Sequence, residues 1–189
     1  LDQRLQLNAA VFQTNVDDNQ FFEFFAGPFG LLRVVTTIDE LELRGAELDF
    51  TYLLADGFTV YGGVGLTDGE IKENPHRPAT EGNEAPLAPE YTLNLGGQWQ
   101  QRLGSGLDLI IRADYRRVGE TWFHTVQDNQ QPAIWSALLG FPVQSDTSQT
   151  RRDPYDTIDL RVSLHGSNWT LTGWGRNVAN EDYLEEVIV

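Results

Sequence analysis

Along most of the chain apolar and polar residues alternate one by one, the period of a β-strand whose two faces meet different surroundings. From Thr157, the residues Ile158, Leu160, Val162 and Leu164 alternate with Asp159, Arg161 and Ser163. Gly166-Ser167-Asn168 interrupts the run tightly enough for a hairpin, and Trp169 and Leu171 resume an apolar face. The same reading places a first strand over about residues 4–16, a Phe-rich loop over 17–32, and a second strand over 33–54. In that second strand Ala46, Leu48, Phe50 and Tyr52 share a face, whereas Leu41 and Leu43 fall on the other parity. The switch predicts a β-bulge near Arg44-Gly45. Ala55-Asp56-Gly57 reads as a short turn. Further strands follow over 58–73, 90–102 and 107–116, separated by a polar loop over 74–89 and a short turn over 103–106. Residues 123–154 form the longest irregular stretch.

About seven strands result, joined by connections that run long, short, long, short, long, short. In an up-and-down sheet all short turns then lie on one edge and all long loops on the other. Outer-membrane barrels have this asymmetry. The strands are also longer than the five or six residues usual in water-soluble domains. The polar face carries Asp108, Arg112, Asp114, Arg116, Asp159 and Arg161 at mid-strand. Burying these in a small closed core costs several kcal/mol each unless paired, and a wide aqueous lumen accepts them. A soluble exported β-sheet binding module, recognising its partner through the long loops, stays open as the alternative, because the same charges are ordinary on a solvated sheet face.

Composition narrows the function class. The 189 residues are 40% apolar and 22% charged, and no run is long and apolar enough for a membrane helix. A mean hydropathy of −0.35 does not separate soluble chains from barrels, whose strands give only half their residues to lipid. The net charge of −15 repels polyanions and argues against nucleic acid as a partner. Cysteine is absent, which excludes disulfides and thiolate metal sites. The chain opens on Leu1 and holds no methionine, which reads as a fragment or a processed product.

Catalytic signatures are missing, so no enzyme, metal site or cofactor is expected. Gly62-Gly63-Val64-Gly65 falls within a strand and reads as close strand packing. His76, His124 and His165 are scattered over two loops and a turn edge and read as solvated. Phe58, Tyr52, Trp99 and Trp169 at the short-turn ends, with Tyr115 and Tyr155 at the loop edge, suit the two aromatic girdles of a membrane barrel. Candidate solute contacts are Arg112 and Arg116 on the polar face, Trp122 and His124 opening the longest loop, and Arg151 and Arg152 closing it. Arginine forks and an indole face can hold an anionic chelate. The competing reading pairs Arg112 and Arg116 with inward Asp114 or Asp159, or with a plug outside these 189 residues.

Four stretches carry a family likeness: LNAAVFQTNVDD (Leu7–Asp18), LRGAELDFTYLLADGFTVYGGVGLTDGEIKE (Leu43–Glu73), PLAPEYTLNLGGQW (Pro86–Trp99), and the hairpin ending WTLTGWGRNVANEDY (Trp169–Tyr183). In this order they resemble the C-terminal part of the barrel of TonB-dependent outer-membrane receptors. The resemblance implies an all-β, antiparallel, up-and-down transmembrane segment, an incomplete part of a barrel of about 22 strands. It further implies a plug domain, a signal peptide and a last strand outside these 189 residues. By the same resemblance the protein sits in the outer membrane of a Gram-negative bacterium, surrounded by its lipid. It would take up a scarce solute such as a ferric siderophore with energy from the TonB complex, which it meets through the plug.

Overall fold

The computed structural model describes residues 4–27, 30–128, 139–141 and 150–187. Seven strands form a single antiparallel sheet, strictly up-and-down: β1 (Leu5–Gly27), β2 (Gly30–Ala55), β3 (Phe58–Glu73), β4 (Tyr91–Leu103), β5 (Leu107–Val118), β8 (Tyr155–His165) and β9 (Thr170–Gly175). Two short strands, β6 (Thr121–Trp122) and β7 (Arg151–Arg152), pair at the base of the long connection. That connection is therefore not wholly irregular. Its centre lies outside the described residues.

All three tight turns lie on one edge, as expected. Asp56-Gly57 closes β2–β3, with Gly57 at φ 75 and its ideal Cβ position overlapping the Gln100 carbonyl. Any side chain there would be strained and would also clash. On the opposite edge β1 and β2 continue well beyond their neighbours. The Phe-rich stretch expected as a loop is strand: Phe21 faces Thr36 and the pairing runs on to Gly27 and Gly30. Aromatic and β-branched residues favour extended pairing wherever a partner strand is in register, and Val34, Val35 and Thr36 supply one. Phe29 of that cluster lies outside the described residues.

The expected bulge at Arg44-Gly45 is not there. Pairing of β1 with β2 is unbroken from Leu5–Tyr52 to Asp17–Glu40. The β2–β3 register slips only between Glu40 and Leu41 and near the turn. Leu41 and Leu43 thus keep the parity of Glu47 and Asp49, and it is the surroundings of that face that change. Above Gly45, Leu41 and Leu43 on this face join a small core with Ile71, Ala85, Val16 and Ala88, and Ile38 and Phe21, of the other parity, enter it beyond Asp18 (φ 54) and the register slip at Glu40. Connection 74–90 builds this core by pairing back along the upper edge of β3. The Ala85 amide donates to the Gly69 carbonyl (2.9 Å) and the Ile71 amide to the Asn83 carbonyl (2.9 Å). Gly69 permits the approach, because a Cβ would stand 2.7 Å from that of Ala85.

The face over which residues 119–127 fold is called inner here. The outer face is a continuous apolar field. Along β2 it runs through Ala46, Leu48, Phe50, Tyr52 and Leu54, along β5 through Leu109, Ile111, Ala113 and Tyr115, and along β8 through Ile158 to Leu164. Val11 is 85% exposed and Leu171 67%, with no second layer over them among the described residues. The field ends abruptly at the loop side. On β1–β3 the next outward side chains are Gln13, Arg44, Asp68, Glu42, Glu70 and Lys72, linked by Arg44–Glu42 (2.6 Å), Gln13–Glu42 (2.8 Å) and a Lys72–Glu70 pair. On β4–β8 the limit is Tyr91, Arg117 and Asp156, with Arg117–Asp156 at 2.9 Å. The turns and this polar limit step in the same direction across the sheet, so the band keeps a near-constant height, as in tilted barrel strands. Its length of about nine residues per strand, at ~3.3 Å each and tilted by ~40°, gives a height of about 20–25 Å.

Candidate functional site: the inner wall and its loop-side mouth

The inner face of β3–β4–β5–β8–β9 presents its charges in rows fixed by the register. Arg116 stands opposite Thr157, Asp114 opposite Asp159, and Arg112 opposite Arg161, which in turn faces Trp174. A glycine, Gly96, opens room on β4. Tyr61 lies across Gly96, where a Cβ would overlap its ring. The phenol is thereby directed at Asp114, to which it donates at 2.6 Å. Arg112 grips the same carboxylate with two bonds, Nε to Oδ2 at 2.7 Å and Nη2 to Oδ1 at 2.9 Å, and its guanidinium lies 5.0 Å from the Tyr61 ring centroid. Asp159 accepts the Asn177 amide at 2.8 Å. A cavity of about 460 Å³ opens among Tyr61, Asn94, Arg116, Asp159, Arg176 and Asn177.

Above this strip the loops form a fixed mouth. Gln127 and Glu84 exchange two hydrogen bonds, the Gln127 Nε2 donating to the Glu84 carbonyl (2.7 Å) and the Glu84 amide donating to Gln127 Oε1 (3.1 Å). Asn83 Nδ2 donates to the Thr125 carbonyl at 2.9 Å, and the Leu87 amide to the Trp122 carbonyl at 2.7 Å. Connections 74–90 and 119–127 are thus one body. Burial pushes the Glu84 carboxyl above its usual range, helped by the nearby Glu90 and Glu120 carboxylates, against a Trp122 hydrogen bond and the Arg151 charge.

The six sequence candidates divide into three groups. Arg112 and Arg116 share the inner strip; Arg112 is ion-paired with Asp114, as the competing reading had it, and Arg116 is exposed at the cavity. Trp122, Arg151 and Arg152 come together at the mouth. Trp122 is buried, Arg151 lies over its ring (5.5 Å) and pairs with Glu120 (3.2 Å). Arg152 is held between Phe123 (5.5 Å) and Tyr155 (4.8 Å) and donates to Thr121 Oγ1 at 2.9 Å. A second cavity of about 560 Å³ adjoins, lined by Arg151, Arg152, Tyr155 and Tyr183. His124 stands apart and is half-buried, where the sequence reading had it solvated. Its ring meets Phe21 of β1 edge-on at 6.0 Å, its Nδ1 accepts the Val126 amide, and burial together with the Arg77 charge lowers its pKa to about 4. A neutral imidazole in that packing is part of the wall. His76 is exposed, in keeping with the sequence reading.

Tyr155, expected in the outer girdle, points inward instead. It is buried and stacks on Tyr183 at 3.9 Å. Its parity on β8 puts it with Asp159 and not with Ile158, and the alternation already contained that information. Trp99 pairs with Phe58, and Trp169 is half-exposed, as girdle residues should be. Sequence reading missed Tyr61, Trp174 and Arg176. The first two follow from extending the period-two parity of β3 and β9, whereas Arg176 lies just past the last paired residue. Among the described residues no three His, Asp or Glu side chains converge as a metal site.

Comparison with known proteins agrees with this architecture. The family model described as TonB dependent receptor-like, beta-barrel matches residues 1–178. Among solved structures, the ferric yersiniabactin uptake receptor FyuA from Yersinia pestis superposes with TM-score 0.68 and 18% identity over 96% of this chain and 23% of its own. BauA, the ferric preacinetobactin receptor from Acinetobacter baumannii, gives 0.66 and 13% over 95% and 24%. The copper transporter OprC gives 0.66 and 15% over 96% and 24%. The chain spans about a quarter of the length of these receptors. An open seven-stranded sheet, apolar outside, charged inside and looped on one edge, is a sector of such a wall, and the chain belongs to the TonB-dependent receptor β-barrel family.

Proposed function

We propose that the chain is a C-terminal sector of the barrel of an outer-membrane receptor that imports a scarce solute with TonB-coupled energy, a ferric siderophore being the favoured class. The observation that carries this reading is the outer face: an apolar band about 20–25 Å tall, bounded by polar rows, matches the hydrocarbon layer that outer-membrane strands cross. A soluble module would need a second layer over Val11, Leu160 and Leu171, and the described residues supply none. The plug and its TonB-contacting segment belong to the rest of the receptor in this proposal.

For the solute, the support is chemical. Arg151 and Arg152 at the mouth, with the Tyr155–Tyr183 stack beside them, offer cations and aromatic faces to an anionic, ring-bearing chelate. Two of the superposed receptors carry ferric siderophores in their names, and one carries copper. The test is a deletion of the full receptor gene, with growth on defined ferric chelates as sole iron source and uptake of radiolabelled iron. Loss of growth on a siderophore, restored by the intact gene and abolished by a protonophore, is the expected result. Unchanged growth on every iron source, with a defect on a copper or sugar source, would overturn the siderophore assignment. Fractionation away from the outer membrane would overturn the whole reading.

A further inference from the structure

Past Gly175, where β9 ends, the chain turns back along β8 and does not run out as an open loop. The Asn177 amide donates to Asp159 Oδ1 at 2.8 Å, and the Val178 amide donates to the Ile158 carbonyl at 2.8 Å. Asn177 then closes the segment on itself. Its Nδ2 donates to the Glu181 carbonyl at 2.8 Å, its Oδ1 accepts the Glu181 amide at 2.9 Å, and its own carbonyl accepts the Asn180 amide at 2.9 Å. Asn177 (φ 46) and Asn180 (φ 55) make the left-handed turns of this path, at residues whose short polar side chains tolerate them. The result is a clasp over residues 176–184. It lays Tyr183 on Tyr155, rings 3.9 Å apart and 14° from parallel, and brings the Leu184 carbonyl to Arg152 at 3.5 Å. All of these contacts are made by the sector's own residues.

Tyr183 lies eight residues past the end of β9. Eight unrestrained residues reach about 26 Å at ~3.3 Å each, so nothing in β9 itself fixes where the ring stands. Its place matters, because Tyr183 borders both the mouth cavity and the cavity of the inner strip. We propose that Asp159 and Asn177 are positioning residues for the mouth: Asp159 anchors the clasp through its acceptor oxygen, Asn177 closes it, and together they hold Tyr183 as a fixed aromatic wall where the two cavities meet. Asp159 is thereby committed to backbone and is not a charge presented to a solute, although the register sets it opposite Asp114 on the inner face. A ring ordered beforehand spares a solute the entropy of ordering the segment on binding. The inference rests on the reading of the mouth as the place where a solute enters, and it adds the residues that hold the mouth's aromatic stack in shape.

The test uses the full-length, solute-free receptor in detergent, with 3-fluorotyrosine incorporated and the Tyr183 ¹⁹F resonance assigned by its loss in Y183F. D159A, which removes the acceptor, should shift that resonance and speed hydrogen exchange of the amides of residues 177–181 by about tenfold or more. D159N, which keeps an oxygen in the same place without the charge, should leave both within about twofold of wild type. N177G keeps a left-handed backbone and removes the side-chain bonds, and should behave as D159A does. Y155A should shift the Tyr183 resonance while exchange at Asn177 and Val178 stays slow, because the clasp does not depend on the stack. A Tyr183 resonance unmoved by D159A overturns the proposal. So does D159N matching D159A, since the charge and not the acceptor would then be at work. Unprotected exchange across 177–181 in the wild type, which needs no variant, overturns it as well. Iron uptake in the deletion strain reads the import proposal separately: its failure leaves the clasp standing, and D159N matching D159A removes the clasp alone.

Discussion

Leu160 supplies the sharpest test of which face meets lipid. It projects outward at mid-height of β8, four residues from the polar limit at Asp156 and four from Leu164 at the turn end, and it is half-exposed. Four residues at ~3.3 Å and ~40° of tilt put it about 10 Å from either edge of the band. Arginine there would enter hydrocarbon near its midplane, costing about 2–4 kcal/mol, whereas L66R, one step below Arg44 and Asp68, should cost about 0–1 kcal/mol. Were the face solvated, both substitutions would lie within about 0.5 kcal/mol of wild type and would aid solubility. The assay is equilibrium unfolding by guanidinium of the full receptor folded into lipid vesicles, followed by tryptophan emission, with heat-modifiable migration as a check on assembly. R161L one residue away faces the lumen and controls for position. Equal tolerance of L160R and L66R would refute the membrane reading of the outer face, whatever the family.

Three further outcomes follow from the loop-side body. Ile71 is fully buried in the core that connection 74–90 builds, so I71A should cost about 2–4 kcal/mol locally and raise hydrogen exchange across residues 82–85 while leaving the band strands protected; uniform exchange would contradict it. His124 has a folded pKa of about 4 against an unfolded 6.5, so the neutral ring favours the closed loops above pH 6.5 and this stabilisation is lost as pH falls toward 4. At ~1.4 kcal/mol per pH unit the loss reaches a few kcal/mol, read as increased exchange at 119–127 in acid, and H124F should abolish the pH dependence. G96A should displace the Tyr61 ring from its seat and weaken its bond to Asp114, seen as a changed Tyr61 environment by ¹⁹F-labelled tyrosine; an unchanged signal would show that the glycine is incidental.

The sheet itself was readable in the alternation. Strand parity alone placed Leu48, Leu160 and Trp99 outside and Arg112, Arg116 and Arg161 inside, because a strand between lipid and water has one interior for each face all along its length. The errors came where that premise stops holding. Above Gly45 the inner face no longer meets water, since connection 74–90 and residues 119–127 pack upon it, and Leu41, Leu43 and Ile71 become its natural occupants. Read with one environment per face, the same residues imitate a bulge. The Phe-rich stretch failed for a related reason: beyond the polar limit the β1–β2 hairpin extends past its neighbours, and backbone pairing there requires no alternation.

The site was legible in kind and not in arrangement. That arginines on β5 and β8 share one face follows from parity, but which arginine is free depends on pairing across strands. Arg112 and Arg116 look equivalent in sequence, two turns of the same pleat apart. Asp114 stands between them on the same face of β5, and only the fold, which brings Tyr61 within 2.6 Å of Asp114 and lays Arg112 against both, commits the first and leaves the second exposed. The same applies to His124, whose neutrality comes from burial and from the charge of Arg77, and whose ring meets Phe21, more than a hundred residues earlier. A wall whose outer face is specified by one repeated rule can vary its inner face freely, and that inner face, set by cross-strand neighbours, is where walls of one fold have room to differ.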